Sequence, residues 1–497
     1  MTADPTLTGS PRRGGMALPL PPDTEATVGP LDEIDFISRS DVKDGGSASV
    51  RLVIVGAGPT GLGAAHRLRE LGYDGWVVLE AAEAVGGLAR SYTDADGFTY
   101  DIGGHVLFSH YRYYDDLLAR LLNGACTEIR RDAWIWMEGR YIPYPFQNHL
   151  RGLSPQTVYE CLRGLVATQR QEHAPGNFRE WAHATFGDGI ARHFMIPYNE
   201  KVWAIPPERM GFDWISERVS VIDVDAVLRN VVLGEEQVSW GPNSAFRYPL
   251  RGGTGYLFER LGQTVAERLE LGCAVVAVDP AEQVVVTGDG RRWHYEALLS
   301  TMPLDDLVAC CRDVPDAVRT AAADLVASST HVVGVALDRP ADTSRTWVYY
   351  PEPAVPFYRT TYLSNYSPFM TARPGQTLLL TETSTSSFRP EDPTTIVERV
   401  VDGLVRVGVM TDADRGRIVG TWHCLPSKTY PVPTLGRDAA LAVIQPWLQA
   451  HRIWSRGRFG AWRYEIGNMD HSVMQGVQWA EHVVSGSPES VWSDHGD

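Results

Sequence analysis

The ten residues Leu52–Gly61, LVIVGAGPTG, constrain this 497-residue chain more than any other segment. Leu52–Val55 is a short apolar run suited to a strand buried on both faces. Gly56 permits a tight turn after it. Gly58 lets backbone N–H groups approach a pyrophosphate, and Gly61 lets the following helix pack closely on the strand. Pro59 and Thr60 lead into that helix, predicted over Leu62–Leu71, whose N-terminal partial positive charge faces the same anion. A second apolar run, Trp76–Leu79, ends in Glu80, a carboxylate able to accept hydrogen bonds from an adenosine ribose. Strand, glycine turn, helix, strand and acid together predict a dinucleotide-binding unit. The pair Gly86-Gly87 follows, with Leu88 and Arg90 behind it. A nicotinamide dehydrogenase has no need of this second turn, although alone it reads as a surface turn.

Bulk properties exclude several classes. A formal charge of −16 and a pI near 5.4 argue against nucleic-acid binding, and an anionic substrate needs local arginines because the global field repels it. No apolar run reaches the roughly 18 residues that span a bilayer, and the N-terminus lacks a signal pattern. Six cysteines show neither C-x-x-C nor zinc spacing, and Cys310 and Cys311 are adjacent. No metal site is expected. A cytoplasmic protein in a reducing compartment follows, with no membrane partner. The oligomeric state stays open.

With 44% apolar residues the chain has ample material for a core. Residues 1–49, rich in Pro, Gly, Ser, Thr and acids, are expected to be a disordered extension. Helical patterns at Val158–Gln169 and Asn177–Phe186 suggest a helical insertion over 150–236. Short β-branched runs at Val275–Val286, His331–Leu337 and Gln376–Glu382 suit strands. Leu298–Met302 reads as a strand returning to the nucleotide-binding sheet, and Ser472–Val484 as a helix. The expected class is mixed α/β. A discontinuous Rossmann-like domain (50–115, 240–305, 450–485) carries the inserted helices, an antiparallel β-sheet domain (130–149, 306–449) and a flexible tail (486–497).

Several further segments form an ordered set: Asp101–Tyr111 (DIGGHVLFSHY), Tyr144–Asn148 (YPFQN), Pro197–Ala204 (PYNEKVWA), Glu217–Val219 (ERV) and Trp240–Asn243 (WGPN). Arg251–Gly255 (RGGTG), Phe357–Arg359 (FYR), Ser364–Pro368 (SNYSP) and Trp454–Asn468 (WSRGRFGAWRYEIGN) complete it. From about Val50 to Val484 the chain resembles the UDP-galactopyranose mutases, in their eukaryotic-type branch. The Gly86-Gly87 turn is similar to that of amine-oxidase-like flavoproteins, where it lies along FAD.

The resemblance implies FAD, active when reduced, with NADPH or NADH as reductant and UDP-galactose as the substrate partner. The implied reaction interconverts UDP-galactopyranose and UDP-galactofuranose without net redox. Flavin N5 attacks the anomeric carbon and displaces UDP, and the N5–sugar adduct opens and recloses through the other hydroxyl. Arg218 and Arg359 correspond to two diphosphate-binding arginines, a task that suits a planar guanidinium fork. Tyr366, Tyr430 and Tyr464 correspond to tyrosines that donate hydroxyls to the diphosphate. Tyr144, Phe146 and Gln147 correspond to the uridine end, where Phe146 stacks on the base. Asn199, Trp203 and Asn243 line the sugar pocket. Gly103, Gly104 and His105 lie against the isoalloxazine, with His105 counted as catalytic. Arg458, Gly467 and Asn468 belong to a C-terminal segment that wraps the flavin.

The chain departs from the family pattern at Met469, where a glutamine is familiar, and at Ala133, where relatives carry serine near the nicotinamide donor. Two alternatives remain at this stage: a mutase for another nucleotide-linked sugar, and an amine-oxidase-like flavin oxidoreductase. Arginines and tyrosines in number disfavour the latter, whose apolar amine or porphyrin substrates do not require them.

Overall fold

The computed structural model describes residues 51–168, 174–215, 224–235 and 244–493. The N-terminal extension expected over 1–49 lies outside them, as do Arg218 and Asn243.

Leu52–Val55 is fully buried and sits at the centre of a five-stranded sheet in the order 453–455, 297–300, 52–55, 76–79, 269–270. All four contacts between neighbours are parallel. Alternate residues feed two cores. Leu52 and Ile54 pack with Leu62, Leu257 and Val473 on one face, and Val53 and Val55 with Leu304, Leu441 and Ile444 on the other. Helices on both faces explain why these strands read as unbroken apolar runs. The strand expected at Leu298–Met302 is Ala297–Ser300, in register with Leu52–Val55.

The first helix runs Pro59–Glu70, three residues earlier at its start than the apolar pattern suggested. Proline at the first helical position is preset for the helix and its missing N–H is no loss there. The C-terminal helix, Met469–Ser485, lies against it backbone to backbone. A Cβ at Gly476 would stand 2.0 Å from the Thr60 carbonyl oxygen, and one at Gly63 2.6 Å from that of Val473.

An eight-stranded sheet forms a second layer. Its strands Ala327–Leu337, Thr377–Thr385 and Arg359–Tyr362 pair antiparallel. One contact departs from the antiparallel expectation: Trp347–Tyr349 runs parallel to Ala133–Met137. The strand expected at His331–Leu337 begins at Ala327, because the hydroxyls of Ser328–Thr330 do not break it; Thr330 Oγ1 bonds Thr429 Oγ1 at 2.7 Å inside the protein.

Helices Pro155–Thr168 and Phe178–Ile190 pack closely through Gly164, Gly187 and Gly189. Asn177 caps the second, accepting from Glu180 N–H at 3.0 Å. The helical path then continues through a π-helical stretch, Ala191–Met195, to Ile196–Trp203. Lys201 is buried and donates to the carbonyls of Tyr350, Glu352 and Val355 at 2.9–3.0 Å, so it is a structural pin. Burial holds its pKa well below the ordinary value.

Residues 486–493, expected as a loose tail, are docked instead. Arg456 pairs with Glu489 through two contacts of 2.9 Å and lies 4.1 Å from the Trp492 ring centroid. Val491 is buried, so this short segment carries an apolar anchor. All six cysteines are free. No helix among the described residues is long and apolar enough to cross a membrane.

Two outcomes test this packing. Gly476→Val forces the two helices apart and is expected to destabilise by about 1–3 kcal/mol or more, read as a lower Tm and weaker flavin retention. Burial lowers the pKa of His66, His105, His331 and His423. Unfolded histidines take up protons below about pH 6.5 while these stay neutral, so the unfolded state binds more protons and stability falls as pH drops from 7.5 to 5.5. Thermal melts across that range check it.

Candidate active site

Gly56 adopts φ +99°, and a Cβ there would lie 2.1 Å from Thr301 Oγ1. At Gly61 a Cβ would stand 1.9 Å from the Gly56 carbonyl oxygen. The turn is therefore as tight as its sequence suggested, and only glycine fits. Gly58 is the N-cap of the first helix, no side chain caps it, and the first turn holds no acid. The helix N-terminus is thus left for an anion. Glu80 accepts from Ala57 N–H at 2.6 Å and from Ala82 N–H at 2.9 Å, tying the second strand to the turn.

These residues open onto a cavity of about 1020 Å³. Gly56, Gly58, Pro59, Thr60 and Glu80 line it, and so do Gly87 and Leu88. Gly58 and Gly87 face each other with bare Cα atoms, a gap that side chains would close. Gly61 and Gly86 shape the backbone without reaching the wall. The uncapped helix, the bare glycine backbones and an unpartnered buried Nδ1 on His105 fit a dinucleotide cofactor.

Beneath the Gly103–His105 loop lies a buried anion. Asp101 accepts from Ser91 Oγ at 2.5 Å, Tyr248 O–H at 2.6 Å, and Thr254 N–H and Oγ1 at 3.1 and 2.9 Å. Gly103 takes φ +92° and would meet Glu382 Oε1 at 2.9 Å if it bore a Cβ; Gly104 would meet Thr361 Oγ1 at 2.6 Å. His105 lines the cavity. Burial depresses its pKa, outweighing the attraction of Asp101 and Glu382, so it is neutral at pH 7.

Arg359 also lines the cavity and is clamped by Glu382. Its Nε bonds one carboxylate oxygen, its Nη2 the other at 2.8 Å, and Nη2 reaches the Gly104 carbonyl at 3.4 Å. The two residues stand opposite each other in antiparallel register. The second edge of the fork, Nη1, has no protein partner among the described residues. Burial lowers the Arg359 pKa, but its ion pair with Glu382 prevails and raises it overall.

Tyr430, Tyr464 and Arg458 complete this wall. The Arg458 guanidinium lies 5.0 and 5.3 Å from the two tyrosine ring centroids and donates to the carbonyls of Thr429 and Gly467. Trp203 packs edge-on behind both tyrosines. Burial pushes the Tyr430 hydroxyl up to about 12. Gly467 and Asn468 are on the wall at the start of the C-terminal helix, as is Asp470, which accepts from His110 Nδ1 at 2.7 Å.

Other sequence candidates do not reach the wall. Phe146 is fully buried and stacked on Phe194 at 4.9 Å, which stacks on Tyr198 at 5.2 Å. Gln147 is buried beside it, and Tyr144 leans on Tyr349. Asn199 donates to the Met195 carbonyl one turn back and accepts from the Trp203 indole N–H one turn on. Tyr366 is wedged between Phe246 and Tyr248, and its hydroxyl has no partner among the described residues. Sequence reasoning missed Glu382. Its signal was present: a lone acid inside the apolar run TLLLTETST is a buried charge that demands a partner.

The model of the family "Flavin containing amine oxidoreductase" matches residues 59–484. A crystal structure of a reduced UDP-galactopyranose mutase superposes with a TM-score of 0.87 and 39% identity, over 90% of this chain and 97% of that one. The chain belongs to the UDP-galactopyranose mutase family. It is accordingly an FAD-dependent enzyme of mixed α/β fold, built on the flavin amine-oxidase scaffold. A provisionally assigned protoporphyrinogen oxidase of Exiguobacterium sp. 255-15 shares that fold at 19% identity and a TM-score of 0.67, over 88% of this chain and 99% of that one. The 15-cis-phytoene desaturase of Glycine max matches over only 72 residues at 36% identity, 14% of this chain and 12% of that one. That match to this chain is confined to a short stretch.

Asp101→Asn should lower the Tm, because removing the charge weakens four hydrogen bonds at once, at about 2–4 kcal/mol in total. Glu80→Ala should loosen FAD at least tenfold, about 1.4 kcal/mol, measured by flavin release on dialysis.

Proposed function

We propose that this enzyme interconverts UDP-galactopyranose and UDP-galactofuranose with reduced FAD and no net redox. The observation that carries the reading is the wall itself. Arg359, Tyr430 and Tyr464 face the same cavity as the nucleotide turn and the Gly103–His105 loop. An oxidase for apolar substrates has no use for an arginine and two tyrosines on that wall.

Bound and reduced, FAD supplies an electron-rich nitrogen nucleophile. The side chains supply the rest. Gly58, Thr60 and the first helix would hold the cofactor's pyrophosphate, and Glu80 would hold the ribose end. As the bond to the anomeric carbon breaks, the diphosphate gains charge, and Arg359 meets it with the unpaired edge of its fork. Glu382 fixes that fork in place, so little reorganisation accompanies the charge. His105, being neutral, hydrogen-bonds without adding a cation beside the departing diphosphate. Arg218 is the second diphosphate arginine in this reading and Asn243 a sugar-pocket residue. Tyr144, Phe146 and Gln147 are the uridine residues; Phe146 must exchange its stack on Phe194 for one on the base.

For the reductant we propose NADPH or NADH. Arg131 lines the same cavity, 5.3 and 5.0 Å from the ring centroids of Tyr144 and Trp347, and in this reading it meets a phosphate of the donor. The free thiols favour a reducing, cytoplasmic setting.

Anaerobic enzyme reduced with dithionite is expected to convert UDP-galactofuranose to UDP-galactopyranose, resolved by anion exchange, while oxidised enzyme does not. No conversion with UDP still bound would redirect the assignment to another sugar; no UDP binding would remove the nucleotide-sugar reading. Arg359→Ala should lower kcat by about 10²-fold or more with FAD retained. Unchanged turnover would take Arg359 out of the site.

A further inference from the structure

We infer that Tyr358, a residue behind the cavity wall, sets which way the hydroxyl hydrogen of Tyr430 points, and so whether the site meets a diphosphate with a donor or an acceptor there. The inference rests on the nucleotide-sugar reading of the cavity.

It follows from counting hydrogens along a three-residue chain. Glu382 is an ion-paired carboxylate, held by Arg359 at both oxygens, and has no hydrogen to give. Its Oε1 lies 3.2 Å from the Tyr358 hydroxyl, so Tyr358 donates there. A phenol has one hydrogen. The Tyr358 oxygen, 3.1 Å from the Tyr430 hydroxyl, therefore only accepts, and Tyr430 donates inward to it. Tyr358 is buried, whereas Tyr430 lines the cavity. In this arrangement Tyr430 turns lone pairs, not its hydrogen, toward the occupant.

A diphosphate offers only acceptors. To bond it, Tyr430 must turn its O–H outward. Tyr358 then either turns its own O–H from Glu382 to Tyr430, or leaves two phenol oxygens facing without a hydrogen between them. Each alternative sacrifices a buried hydrogen bond. Glu382 and Tyr358 thus act together as a brake on diphosphate affinity. Such a brake suits a reaction in which the diphosphate must leave the sugar and return without becoming trapped. Tyr358 is a positioning residue, acting through Tyr430.

The test is a double-mutant cycle on the flavin-loaded enzyme, with dissociation constants for UDP and for inorganic pyrophosphate measured by calorimetry. Tyr358→Phe keeps the ring and removes the inward acceptor, freeing the Tyr430 hydrogen for the ligand. It is expected to tighten UDP by roughly three- to tenfold. That gain should vanish in a Tyr430→Phe background, because the two hydroxyls act as one unit. Unchanged or weaker binding in Tyr358→Phe, or the same gain in both backgrounds, overturns the inference. Tyr430→Phe alone supplies a second reading that does not depend on the packing of Tyr358. A loss within roughly threefold supports an inward-turned hydroxyl, and any larger loss overturns it. If the parent enzyme binds pyrophosphate but not UDP, the nucleotide reading fails, while the cycle read with pyrophosphate still decides the role of Tyr358.

Discussion

The backbone-to-backbone contact of the first and last long helices is the constraint on which the rest of the molecule depends. Thr60 and Gly476 are more than four hundred residues apart, yet no Cβ fits between them. This contact brings the C-terminal segment onto the nucleotide turn. A Cβ at Gly457 would likewise stand 2.5 Å from Thr60 Oγ1. Arg458, Gly467 and Asn468 reach the cavity only because these surfaces meet so closely. The glycines make the approach possible, and the apolar residues around them, Val473, Val477 and Ala480 among others, supply the favourable burial.

Charge is handled in the site by enclosure. Asp101 is wholly buried and has four donors, so its charge is compensated locally and its strand end is immobilised. The loop that follows holds its shape because Gly103 and Gly104 have no side chains to push against Glu382, Thr361 and Arg359. Arg359 is clamped on one edge, and the other has no partner among the described residues. A guanidinium can do this and an ammonium cannot, since its fork separates the nitrogens that bind Glu382 from the remaining one. In a chain of charge −16, that oriented edge matters more than the global field.

Much of the scaffold was legible in advance. The strand Leu52–Val55, the turn after it and the presence of a helix behind the turn follow from local rules of apolar run and glycine spacing, whereas the helix start at Pro59, ahead of the expected Leu62, did not show in the apolar pattern. The same rules hold for the helix expected at Asn177–Phe186 and the strands expected in Val275–Val286 and Gln376–Glu382, where composition places the elements to within a few residues of Phe178–Ile190, Val275–Asp279, Val284–Thr287 and Thr377–Thr385. The extension of one strand back to Ala327 was not legible, because hydroxyl residues look like a strand end until their partners across the sheet are known. The docked segment 486–493 was hidden for a similar reason: Arg456 and Glu489 are distant in sequence, and composition alone marks the segment as loose.

By itself, the sequence determined the cofactor cradle, the fold class and the family, because each rests on residue types at fixed local spacing or on an ordered set of motifs. Tertiary structure decided what the polar residues can do. Strand register set Arg359 against Glu382, and the meeting of separate strands set Tyr358 between Glu382 and Tyr430. It also buried Phe146 against Phe194 rather than leaving it open to a base. Side-chain direction and hydrogen-bond polarity depend on which residues face each other across hundreds of positions, and no local pattern records that.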